Sequence, residues 1–168
     1  MKKFMLAISK TNELLGHAVS YMVILIVAVL LYEIVARYFF NSPTIWAHET
    51  STMIYGAYIV LLGGYLQQHD GHVNVDMLYL KFKPRTRGII DIFTWTLFFI
   101  FCWQIFTKGM ELAWESFVIR ETDSTVFAPP LYPIKMMIPL GALLLLLQGL
   151  VKYIRAFNMA ITGKEDML

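Results

Sequence analysis

The stretch Glu33–Glu49, EIVARYFFNSPTIWAHE, decides how the chain is read. It closes a long apolar run with a Glu/Arg pair, turns at Asn41-Ser42-Pro43, and opens a second apolar run with Trp46 and Glu49. Charged groups beside a hydrocarbon phase are costly and are kept where they have a partner or a task. Glu33 and Arg37 stand four residues apart with the acid N-terminal, the better order for a helical ion pair. Arg37 also lies close enough to the end of its span to reach headgroups along its own aliphatic stem. The polar turn, with Pro43 near the first position of the next helix, places a corner between two helices. From Ile45 to Met53 the mixture of Trp46, His48, Glu49 and small polar residues predicts a short amphipathic lead-in at the interface. Trp46 reads as an interfacial anchor.

Outward from that corner the composition fixes the class. The 168 residues are 58% hydrophobic and 15% charged, with a mean hydropathy of +0.59. A soluble domain carries about a quarter charged residues. Four apolar segments, at about 14–40, 50–68, 88–107 and 134–153, approach the roughly 20 residues that a bilayer crossing needs. The expectation is an all-α integral membrane protein: one domain over 1–168, with four transmembrane helices and short interfacial helices. Lys2, Lys3, Lys10, Lys81, Lys83, Arg85, Arg87, Lys152, Arg155 and Lys164 fall on one side, ten of the 14 basic residues. The positive-inside bias then puts both termini in the cytoplasm. Met1-Lys2-Lys3 is followed by no small-residue cleavage site, so the first span reads as retained. A single cysteine, Cys102, excludes an internal disulfide and reads as an inert, lipid-buried small residue. The net charge of +2 gives no argument for nucleic acid as a partner.

The remaining segments read mainly as packing and interface. Gly56 and Gly63 share one face of the second span, which suits close approach of another helix. In the connection after it, Asp70-Gly71 signals a turn, and Asp76 caps a predicted short surface helix from Met77 to Phe82. Lys83, Arg85 and Arg87 form a basic patch for phospholipid headgroups. Two His and two Asp lie in this connection, but their spacing matches no metal-ligand signature, so no metal site is assigned. The third span is expected to continue about two turns beyond the membrane. There Gln104, Lys108, Glu111 and Glu115 share one helical face, and Glu111 and Glu115 are candidates for docking a partner. Arg120 to Pro133 is expected to be largely extended, with Pro139 in or near the first turns of the fourth span. Gln148, the one strongly polar side chain at depth in that span, is expected to hydrogen-bond to a neighbouring helix.

The chain shows no catalytic triad, Gly-rich phosphate loop or zinc signature, and the reading is a non-enzyme without cofactor. It also lacks the broken, polar-lined helices that mark a substrate site in secondary transporters. Two alternatives stay open on residues alone. A small homodimeric proton-coupled exporter could use Glu33, and a haem-binding membrane anchor could draw on His17, His69 and His72.

These residues together carry a resemblance. Glu33, Arg37-Tyr38, Phe40-Asn41, Trp46 and Glu49, then Gly56 and Gly63, then His72-Val73-x-Val75-Asp76, follow in an order similar to one family. Lys135, Pro139 and Gln148 in the Pro-rich approach to the fourth span resemble one branch of it. The chain, from about residue 10 to 158, resembles the small membrane subunit (DctQ type) of tripartite ATP-independent periplasmic (TRAP) transporters. It departs at His48, where members often place a second acid beside Glu49. The resemblance implies a multi-pass protein of the bacterial inner membrane with two protein partners, a large TRAP membrane subunit and a periplasmic solute-binding protein. It implies sodium-coupled import of small organic acids, carboxylates or sulfonates, with this chain as the scaffold and Glu33, Arg37, Trp46 and Glu49 as an assembly corner.

Overall fold

The computed structural model describes residues 2–69, 71, 82 and 84–162. It consists of four helices: α1 (Lys2–Phe39), α2 (Ala47–Gln68), α3 (Pro84–Val118) and α4 (Tyr132–Thr162). The expected surface helix from Met77 to Phe82, the motif His72 to Asp76 and Lys83 fall wholly or largely outside the described residues.

Three of the four, α1, α3 and α4, are long and apolar enough to cross a membrane. In α2, the polar start His48-Glu49-Thr50-Ser51-Thr52 and the Gln67-Gln68 end dilute a short apolar centre. The amphipathic lead-in is not a separate interfacial helix. Ala47 to Met53 are the first turns of α2 itself, and Ala47 and Ser51 are buried there.

The first helix begins at Lys2 rather than near residue 14, because its polar interruption is absorbed by partners. Thr11 Oγ1 donates to the Ala7 carbonyl at 3.0 Å, and Asn12 Nδ2 donates to Gln148 Oε1 of α4 at 3.0 Å. Asn12 and Gln148 are 2% and 1% exposed, so this bond replaces water for two amides that would otherwise be stranded. Gln148 therefore has the interhelical partner its position required. Around it, Met5 and Ile8 pack on Val151, with Leu147 and Ile154 alongside.

The helices form an open layer in the order α1–α2–α4–α3 rather than a closed bundle. Helix α3 packs extensively on α4, α2 packs on both α1 and α4, and α1 meets α4 only briefly. One third of the apolar stretch of α4 is buried, against 11% for α1 and 6% for α3. Helix α4 is thus the centre and α1 and α3 are the rims. Gly63 packs against Leu145 and Gly56 lies near Ile134, so the small-residue face of α2 is turned to α4. Cys102 is buried together with Gly109, Ala113 and Ser116 on the face that α3 turns to α4, so it lies against protein rather than lipid.

Two glycines set the closeness of the layer. A Cβ on Gly141 would lie 2.5 Å from the Val60 carbonyl oxygen, and one on Gly88 would lie 2.6 Å from the Ala160 amide nitrogen. Both conflicts are with backbone, which cannot rotate away. Pro139 stands inside α4, beyond its first turn, where its ring rests against Gly109 of α3. We predict that Gly141→Ala destabilises the fold by about 1–3 kcal/mol through overpacking. Gly56→Ala, whose Cβ would meet Ile134 no closer than 3.7 Å, stays near neutral. Thermal unfolding in detergent, read for the two variants side by side, checks this difference.

Candidate subunit-assembly site

The corner between α1 and α2 is built around one carboxylate. Glu33 is 8% exposed, and Arg37 one turn later donates to its Oε1 through Nε at 2.9 Å and Nη2 at 2.5 Å. Oε2 accepts from the Thr44 backbone N–H at 3.0 Å and also from the Thr44 hydroxyl. Four donors therefore converge on two oxygens, and they come from both sides of the turn. The helix ends where Asn41 adopts a left-handed conformation, φ 50°, a conformation that asparagine tolerates better than most residues. The Ser42 N–H then returns to the Ala36 carbonyl at 3.0 Å. Trp46 folds back on α1 and stacks on Tyr32, with ring centroids 5.8 Å apart. It clamps the corner to α1.

The connection between α3 and α4 lies at the same end of the layer, and Glu49 joins the two. Its Oε2 accepts from the Thr125 hydroxyl at 2.8 Å. This connection is not extended. Helix α3 closes with Arg120 in a left-handed conformation, φ 50°, while the Arg120 and Glu121 amides return to the Phe117 and Ser116 carbonyls. That is a Schellman closure with arginine where glycine is usual. The Asp123 amide then donates to the Pro129 carbonyl, and the Leu131 amide donates to the Glu121 carbonyl. Lys135 of α4 pairs with the Glu121 carboxylate and locks the loop to the helix that follows it.

Glu111 and Glu115 lie exposed on the last turns of α3, and Lys108 Nζ sits 2.6 Å from Glu111 Oε2. They are well separated in the chain from the carboxylate corner, and no hydrogen bond joins them to it. Of the basic patch, Arg85 Nε donates to the Ala160 carbonyl and Arg87 Nε to that of Phe82. Lys83 falls outside the described residues. At the opposite end of the layer, His17 and His69 flank Tyr65, and Glu13 accepts from Gln68 Nε2 at 3.1 Å. Among the described residues, no group of three His, Cys, Asp or Glu is arranged to hold a metal ion.

Thr44, Thr125, Glu121 and Asn12 were missed by the sequence reading. Only Glu121 and Asn12 carried a signal, as polar groups beside apolar runs. Two outcomes follow. Glu33→Ala, which removes the acceptor of both the Thr44 amide and its hydroxyl and the bridge between the two sides of the turn, lowers the unfolding midpoint more than Arg37→Lys, which keeps a cation at the corner; differential scanning fluorimetry separates them. The Lys135 ammonium beside Glu121 holds its carboxyl below the ordinary carboxylate range. A lowered folded pKa gives stability that is complete above the unfolded value, about 4.3 for Glu, and is lost as pH falls through the folded value. Acidification below about pH 4.3 therefore loosens the α3–α4 connection as pH falls through the lowered folded value. Glu121→Gln removes that part of the pH dependence, which hydrogen exchange of the connection measures.

Comparison with known proteins completes the assignment. No curated protein matches the chain. Residues 26–159 match the DctQ component of tripartite ATP-independent periplasmic transporters. That span begins just before the carboxylate corner and ends near the last turn of α4, taking in Gln148 and the α3–α4 connection. The chain belongs to the DctQ family and is the small membrane component of a TRAP transporter, a system that works with a large membrane subunit and a solute-binding protein.

Proposed function

We propose that the chain is a non-catalytic scaffold for the large membrane subunit of a sodium-coupled, binding-protein-dependent importer of small organic acids. The observation that carries this reading is the state of Glu33. It is a buried carboxylate at a span end, the best placed group in the chain to bind a proton or cation in transit. Its lone pairs are instead occupied by Arg37 and Thr44, which belong to the same corner. A proton-coupled exporter needs a carboxylate that can release such partners.

The open layer supports the same reading, because among the described residues α1 and α3 leave long apolar faces largely exposed. The scaffold is one four-span domain in the bacterial inner membrane. Helix α2 crosses as the least apolar span, both termini are cytoplasmic and the carboxylate corner is periplasmic. Lys83, Arg85 and Arg87 then meet cytoplasmic phospholipid headgroups. Glu111 and Glu115 reach into the periplasm and help dock the solute-binding protein.

Two measurements test this. In proteoliposomes the chain alone gives no solute flux, and flux requires the large subunit, the binding protein and a sodium gradient. Flux from the isolated chain overturns the scaffold reading. Reversing Glu111 and Glu115 to Lys weakens uptake at low binding-protein concentration and leaves it unchanged at saturation. Equal uptake across the whole titration removes those two residues from docking.

A further inference from the structure

The end of α2 carries a titratable ring whose surroundings suit only one of its protonation states. His69 closes the helix, and its backbone N–H returns to the Tyr65 carbonyl at 3.2 Å. Its ring Nδ1 lies 3.1 Å from that same carbonyl oxygen, and its Nε2 lies 3.3 Å from Glu13 Oε2 of α1. A carbonyl and a carboxylate can only accept. A neutral imidazole has one N–H and one lone pair, so either neutral tautomer turns a lone pair on one of the two oxygens. The imidazolium, with a proton on each nitrogen, satisfies both.

Two further features favour the charged ring. It packs on Tyr65 with centroids 4.4 Å apart, within the distance at which an aromatic face attracts a cation. It also stands at a helix C-terminus, where a positive charge meets the negative end of the helix dipole. The Tyr65 platform is fixed in turn by α1. A Cβ on Gly16 would fall 2.2 Å from the Tyr65 ring, so the ring lies on bare backbone. The His69 and Glu13 side chains are 46% and 38% accessible, which leaves the pair open to protons from solvent.

The other groups around the ring do not duplicate its role. His17 Nδ1 lies 2.8 Å from the Glu13 carbonyl, a bond inside α1 that holds no second helix, and 3.7 Å from Glu13 Oε1. Gln68 Nε2 donates to Glu13 Oε2 at 3.1 Å in either state of His69, so the two helices stay in touch when the ring is neutral. Lys10 precedes Glu13 by three residues, and Lys152 and Arg155 are the charged groups in the second half of α4. None of these three pairs with His69 or Glu13. Asp70 and His72, which follow in the chain, fall outside the described residues.

We propose that His69 is a proton-operated latch: the imidazolium ties the end of α2 to Glu13 of α1, and the neutral ring lets go. Histidine is the side chain that changes charge between about pH 5 and 8, so the latch engages as pH falls through that range and opens as pH rises. It holds the point at which the chain leaves α2 for the α2–α3 connection. In the orientation proposed above this end of the layer faces the cytoplasm, and the latch answers to the pH there.

The test is hydrogen exchange of the full chain in its transporter complex, in nanodiscs at about pH 5.5 and about pH 8, within and beyond the imidazole's charged range. Protection in the last turn of α2 is expressed against the unstructured chain at the same pH, which removes the intrinsic pH dependence of exchange. The unmodified chain shows protection roughly two- to fivefold higher at the lower pH, the scale of an ion pair at an exposed site. Glu13→Gln and His69→Gln bring that ratio close to one. His69→Lys keeps protection high at both pH values, while His17→Gln and Asp70→Asn leave the ratio as in the unmodified chain. A ratio near one in the unmodified chain, or a ratio that Glu13→Gln leaves unchanged, overturns the latch. So does a His69 ring that nitrogen NMR finds neutral while the last turn of α2 stays fully protected. In inverted inner-membrane vesicles the response follows the external pH; if it follows the internal pH, the proposed orientation fails and the latch stands.

Discussion

Backbone meets backbone on both sides of α4, and the layer follows from that contact. At Gly141 the α4 main chain lies against the Val60 carbonyl of α2, and at Gly88 the α3 main chain lies against Ala160 of α4. Between helices in lipid no hydrophobic term favours association, so close packing and a few polar bonds must hold them. The contacts therefore concentrate where side chains are absent, on two flanks of one helix. Helix α1 reaches α4 only at the Asn12–Gln148 bond and where Met5 and Ile8 pack on Val151, too little to close a bundle. The result is a plate one helix thick, with α1 and α3 as its rims.

Polar groups divide along the same plate. At one end the Glu33 carboxylate ties α1 to the start of α2, Glu49 ties α2 to Thr125, and Glu121 ties that connection to α4. Each bond joins consecutive parts of the chain or adjacent members of the layer, so together they brace one edge. Deeper in, the Asn12–Gln148 bond, with Met5 and Ile8 packed on Val151, holds α1 to α4, helices that meet only briefly. Buried amides of this kind fix register more than they add stability, since each would be unsatisfied in any other alignment. The plate is thus stiff at its corner and specified in alignment at its centre.

Much of this was legible in the sequence because it depends on local chemistry. The i to i+4 order of Glu33 and Arg37 predicts their pair, and the Asn-Ser-Pro turn predicts the corner. A lone Gln148 predicts a partner on another helix. What was not legible depends on distant groups. Residues 10–13 look like a break before a span, and only Gln148, 136 positions away, makes Asn12 compatible with a continuous helix. Residues 120–133 look extended because their prolines disfavour helix, while the Schellman closure at Arg120 has no glycine to announce it. The amphipathic start of α2 reads as an interfacial segment because the partner of Glu49, Thr125, lies 76 positions away, while Ser51 and Thr52 bond back to the His48 carbonyl.

The rims explain why a chain with so few buried charges is so apolar. Helix α1 exposes mainly aliphatic side chains over its central turns, including Ile24, Leu25, Val27 and Leu31, a surface that acyl chains cover without any demand on register. Helix α3 exposes aromatic rings at helix-packing intervals. Rings stacked at fixed intervals gain from a partner that meets them in one alignment, since their preferred geometries are directional. Lipid offers no such alignment. The two rims of the plate therefore differ in chemistry, mainly aliphatic on α1 and richer in aromatic rings on α3.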